Sequence, residues 1–348
     1  MTVPSSSPEP LSPFDRAVDE SWLAQHREEP LEPERPIIDA HHHLWLRGAH
    51  RYLLEEYCDD IDSGHNIVAT VFVQCGAMYR SDGPMELRSL GETEFANGIA
   101  AMSASGLFGA TRVCAGIVGA VDLRVGKRAG DVLTAHMQTA GGRFKGIRQS
   151  TTWDDDSFLM PAGHDLTRGM LGNPAFREGF ACLAALGLSF DAWLYFHQID
   201  ELTALAQSSP EVRIILNHVG GPVGLGRHAG RGDANFFAWK RSIASLARCD
   251  NVYVKLGGPA ARFGAITFGD RTKPPSSIEV AQQWEPYVVQ CIESFGARRC
   301  MFESNFPPDK RTYGYDVIWN AFKRLAAGAS EAEKASLFHD TAARVYRL

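Results

Sequence analysis

Two histidines one residue apart, His41 and His43, close the short apolar run Ile37-Ile38-Asp39-Ala40. Alternate side chains of an extended strand share a face. His41 and His43 therefore point one way, and His42 points the other, where it packs or hydrogen-bonds. Two neutral imidazoles on one face can grip a single divalent ion. Taken alone, a His-x-His pair reads better as a solvated strand end, and the rest of the chain reverses that. Further reactive side chains close later apolar runs: Arg148 and Gln149, His197, His218, Lys255, and Glu303-Ser304-Asn305. Several histidines converging with a carboxylate or amide opposite make a divalent-metal site. The expectation is one ion, zinc or alternatively manganese, held by His41, His43 and His197.

Something must bring these ends together. Apolar, β-branched runs recur at 37–41, 67–74, 113–122, 144–149, 188–195, 213–218, 252–256 and 300–305. Near-continuous runs of this kind suit parallel strands covered on both faces. Between and after them, helices are predicted over 86–105, 127–140, 174–186, 199–207, 235–248, 278–295, 315–325 and 331–346. Asn173-Pro174 reads as a cap followed by a first-turn proline, and Gly187 as a helix stop. Eight alternations predict a (β/α)8 TIM barrel, somewhat distorted, over residues 36–348, ending in a C-terminal helix. A doubly wound open sheet is the alternative, but its first strand usually leads into a glycine-rich turn, and here it leads into histidines. Residues 1–35, rich in Pro, Ser and Glu, form an N-terminal extension. Disorder is expected to Pro13, a short helix within Phe14–His26 docked by Trp22 and Leu23, then an extended lead-in. In such barrels the strands' C-terminal ends build the active site, where the reactive residues fall.

With a formal charge of −6, the chain offers no general surface for nucleic acid or anionic membrane. No apolar run approaches spanning length, and the N-terminus lacks a signal pattern. Seven cysteines without a Cys-x-x-Cys pair fit a reducing cytoplasm. The expected partner is a small molecule; self-association stays open.

Six segments together resemble the amidohydrolase superfamily in its amidohydrolase-2 branch. They are Asp39–Trp45, Gly146-Ile147-Arg148, Asn217–Pro222, Val254–Gly258, Phe302–Pro307 and the closing Ala342–Leu348. That branch includes aldonolactonases, 2-pyrone-4,6-dicarboxylate lactonase and aminocarboxymuconate semialdehyde decarboxylase. The resemblance implies His41 and His43 as metal ligands, His197 as a third, and His218 as the residue that orients water or polarises substrate. It implies Arg148 as a substrate-binding residue. The family's strand eight usually ends in an aspartate, and here that position is Asn305. An amide can coordinate or hydrogen-bond but cannot be a general base.

That departure directs attention to Glu303, on the same strand face as Asn305. It either supplies the missing carboxylate or forms an ion pair with Lys255 or Arg148. Lys255 binds substrate or closes an internal salt bridge. Arg227 lies in the glycine-rich stretch Gly220–Gly232, read as a lid bringing cations to an acidic substrate or as a flexible loop. Trp45 either lines the pocket or packs. His228 is expected to be surface or structural. The resulting expectation is a metal-assisted hydrolase of a small lactone, ester or amide. A nonoxidative decarboxylase and a catalytically silent binding barrel are the alternatives.

Overall fold

The computed structural model describes residues 18–48, 50–160, 165–258, 266–268 and 271–348. The expected disorder of residues 1–13 lies outside them. Eight parallel strands follow one another around a single sheet: β1 Ile37–His42, β2 Ile67–Val73, β3 Arg112–Gly119, β4 Phe144–Ser150, β5 Ser189–Trp193, β6 Ile214–Leu216, β7 Val252–Leu256 and β8 Cys300–Phe302. The ring closes just beyond β8. Asn305 N–H donates to His41 O at 2.9 Å, and His43 N–H donates to Phe306 O at 2.8 Å. This is the expected (β/α)8 barrel, and the register shifts along β1 to β4 are its distortion.

The helices form where periodicity predicts them. The helix Pro174–Leu186 starts at Asn173, whose side chain accepts from Ala175 and Phe176 N–H, and stops at left-handed Gly187. Between β1 and β2 lie a two-stranded ribbon, Trp45–Arg47 with His50–Tyr52, and a helix Leu54–Ile61, none of which the sequence reading anticipated. The expected single helix over 331–346 is three pieces, with a wider turn at Ser336–Asp340.

Two layers of core result. The larger lies between strands and helices; the smaller joins Ile38, Ala40, Val71, Ile215 and Met301 to Ala342, Val345 and Tyr346 of the last helix. The C-terminal helix thus packs against the barrel's inner residues. At the other end of the chain, Leu23 of the short helix Glu20–Leu23 is buried. The lead-in lies across the helix Tyr315–Leu325: Glu28 N–H reaches Asp316 at 2.7 Å, and Leu31 N–H reaches Asn320 at 2.8 Å.

Candidate active site

β1 carries one extra residue between Asp39 and His42 relative to β2. Such a bulge re-aims side chains. Ile38 and Ala40 pack with the inner cluster, while His41 and His43 meet beyond them, their Nε2 atoms 3.2 Å apart. His42 faces away as expected, buried against Tyr57 and 2.9 Å from Thr70 Oγ1.

The ring protons follow from the partners. His43 Nδ1 lies 2.7 Å from Val73 O, which only accepts, so Nδ1 carries the proton. Arg148 Nη1, which only donates, lies 3.1 Å from His41 Nε2. At His41 Nδ1 two partners compete, Glu303 Oε2 at 2.7 Å, which accepts but at an angle too oblique for a full hydrogen bond, and Lys255 Nζ at 3.3 Å, which only donates; the shorter contact favours the proton on Nδ1. Both Nε2 lone pairs then face each other. Burial holds both imidazoles well below their ordinary pKa, reinforced by Lys255 beside His41 and by Arg148 beside His43. They stay neutral, as metal ligands must be.

Glu303 is fully buried beneath the mouth. Its Oε1 lies 2.7 Å from His218 Nδ1 and 3.3 Å from His218 N. No ion pair joins Glu303 to Lys255 or Arg148 among the described residues. Lys255 instead meets Asp191 at 2.7 Å, both side chains fully buried, and Asp191 also accepts from Asn217 and Tyr346. Of the two expectations for Lys255, the internal salt bridge is the one the structure shows; the residue does not line the cavity, against its alternative reading as a substrate-binding residue.

Two side chains, His218 and Asn305, reach the mouth through unusual backbone. His218, Val219 and Asn305 have φ of 53°, 47° and 53°, a left-handed conformation rare outside glycine. Such strain collects at functional sites. It turns His218 and Asn305 onto a cavity of about 550 Å³, lined also by His43, Arg47, Tyr79, Arg148, Trp193 and Tyr195. That volume suits a small molecule. Asn305 Nδ2 donates to Asp309 Oδ1 at 2.8 Å, which leaves its Oδ1 for the cavity. Asp309 is buried, and desolvation pushes its carboxyl up to about 7. Room behind His218 depends on glycine, since a Cβ at Gly258 would run into its ring.

Arg47 went unnoticed in the sequence because the ribbon that carries it was not foreseen. Among the described residues, neither Arg47 nor Arg148 forms an ion pair with a carboxylate; the aspartates that also line the cavity, Asp122 and Asp165, are both taken by Arg124. Trp45 backs the site instead of lining it, stacked on His43 with ring centroids 6.0 Å apart.

His197 and Arg227 are placed elsewhere. His197 does not join His41 and His43; its Nε2 lies 2.9 Å from Trp153 O and 3.5 Å from Asp154 Oδ2. Arg227 pairs with Asp154 at 2.7 Å and takes no part in lining the cavity. The sequence places His197 just past a strand end and Arg227 within the glycine-rich stretch after β6, but loop course, not strand direction, decides where such residues point.

The amidohydrolase family pattern matches residues 38–348. A Sinorhizobium fredii protein described only as uncharacterised protein y4mH is 34% identical over 335 residues, covering 90% of this chain and 98% of its own. The L-fucono-1,5-lactonase of Burkholderia multivorans is 25% identical over 239 residues, covering 67% of this chain and 72% of its own. A solved amidohydrolase structure from Burkholderia multivorans with bound zinc superimposes with a TM-score of 0.68 at 23% identity, covering 90% of this chain and all of that one.

Proposed function

The chain belongs to the amidohydrolase family, and from that premise we propose that it hydrolyses a small lactone bearing a carboxylate or several hydroxyls. The observation that carries this reading is the His218–Glu303 pair at the mouth of a cavity lined by two guanidinium groups, Arg47 and Arg148, that form no ion pair among the described residues. With Nδ1 tied to Glu303, His218 offers Nε2 as a base for the attacking water. Glu303 does not touch substrate; it orients the ring and stabilises the imidazolium formed when the proton arrives. Arg148 and Arg47 bind the substrate's acidic or carbonyl oxygens. Asn305 Oδ1 accepts from a substrate hydroxyl or from water.

The donor set at His41 and His43 fits a divalent ion. Bonds of about 2.0–2.1 Å at a tetrahedral angle separate two ligand nitrogens by roughly 3.4 Å, close to the observed 3.2 Å. His41 and His43 would hold zinc or manganese, and binding there would displace the Arg148 contact with His41. When bound, the ion supplies Lewis-acid polarisation of the carbonyl or a more acidic water.

The experiment is a panel of sugar-acid and dicarboxylate lactones, followed by acid release with a pH indicator and in parallel by carbon dioxide detection. Acid release with kcat/KM in the enzymatic range supports the reading. Carbon dioxide from an acidic substrate would replace it with decarboxylation, and silence across both assays would leave a binding barrel.

A further inference from the structure

Three loops at the barrel's rim bring a second set of ligand atoms together. Asp154 follows β4, His197 follows β5, and His228 lies in the glycine-rich stretch after β6. Asp154 Oδ2 lies 2.9 Å from His228 Nε2 and 3.5 Å from His197 Nε2. The two rings stack with centroids 5.3 Å apart and planes 15° from parallel. Arg227 Nε and Asp156 N–H both take Asp154 Oδ1, at 2.7 and 2.8 Å, which turns Oδ2 toward the rings. The Asp154 side chain is fully buried, and the His197 ring keeps a quarter of its surface open to solvent.

We propose that Asp154, His197 and His228 form a divalent-metal site of the zinc type that clamps the glycine-rich stretch to the rim of the barrel. One carboxylate oxygen and two imidazole nitrogens all lie within 4.8 Å of one another, as ligands of one small ion must. Without an ion, both Nε2 atoms carry protons, one donated to Trp153 O and the other to Asp154. Metal binding through Nε2 shifts each neutral ring to its other tautomer, the proton leaving Nε2 and one being taken up at Nδ1 from solvent, so no net proton is lost. The consecutive carboxylates Asp154, Asp155 and Asp156 favour a cation there despite Arg227. The partly exposed His197 ring supplies the entry path and leaves a coordination position for water. The clamp would bear on the cavity because the Tyr195 ring, which lines it, lies 5.9 Å from that of His197. This site shares no ligand with His41 and His43 and does not depend on the reaction proposed above.

The test uses the full chain, stripped with chelator and titrated with zinc chloride by calorimetry, alongside His197→Ala, His228→Gln and the double variant His41→Ala/His43→Ala. His197→Ala leaves the His228–Asp154 hydrogen bond in place, so folding is retained. The cluster variants should each lose one zinc equivalent that the His41/His43 variant keeps. Zinc at ten times its dissociation constant should slow trypsin cleavage after Arg227 and Arg231 about tenfold in the wild type, and should not slow it in His197→Ala. Equal zinc in the wild type and both cluster variants, no zinc bound by the wild type at micromolar concentration, or cleavage indifferent to zinc would each overturn the proposal.

Discussion

Glu303 Oε1 sits 2.7 Å from His218 Nδ1, although the two residues are 85 positions apart in the chain. The carboxylate lies beneath the imidazole and away from the cavity, so it acts through the ring it holds. His218→Ala should lower kcat by about 10²-fold or more, the range for a lost general base. Glu303→Gln should lower kcat with KM little changed and alter the limb of the pH–rate profile that reports His218. The double variant should be little worse than His218→Ala, since the two act as a unit. Steady-state kinetics on the three variants checks this; additive losses would separate the roles.

Lys255 and Asp191 test the buried framework. Asp191→Asn leaves a fully buried ammonium without its counter-charge and should cost about 3–5 kcal/mol. Lys255→Met combined with Asp191→Asn should recover much of that loss, because both charges are gone. Urea denaturation of the single and double variants measures it. A single variant as stable as the wild type would show that the pair does not support the barrel.

Asp309 gives a pH dependence of stability with a defined sign. Its carboxyl in the folded protein titrates at about 7, above the ordinary 3.8, so the folded state binds the proton more tightly than the unfolded chain. The stability this supplies is complete below the ordinary value and lost as pH rises through about 7. Asp309→Asn should remove that loss, so the difference between wild type and variant grows in the variant's favour from pH 5 to pH 8. Asn305→Asp should do the reverse, because it sets a second carboxyl against Asp309 Oδ1 in place of the amide donor. Denaturation midpoints of all three proteins at the two pH values decide it; parallel curves would contradict it.

Metal at His41 and His43 makes a separate prediction. Removing it with chelator should reduce turnover by at least about 10²-fold, and zinc or manganese should restore it. His41→Ala/His43→Ala should abolish restoration. Elemental analysis beside activity distinguishes the outcomes, and full turnover of the metal-stripped enzyme would assign carbonyl polarisation to Arg148 instead.

Much of the architecture was local information. Eight apolar runs, the helices between them, the Asn173 cap and the Gly187 stop all follow from the chemistry of neighbouring residues. The shared direction of His41 and His43 follows from strand alternation, whereas Glu303 and Asn305 lie past the end of β8 and the left-handed backbone at Asn305 turns that residue onto the cavity. Partners were not local information. Lys255 reaches His41 across 214 positions and Asp191 across 64, and only closure of the ring sets those meetings. The same closure buries Glu303 between His41 and His218, while the course of the rim loops gives His197 to Asp154. Arg47 enters the cavity on a ribbon too short to announce itself by periodicity. Alternation specifies which face a side chain takes, but the register between strands and the path of the loops decide which residue waits there.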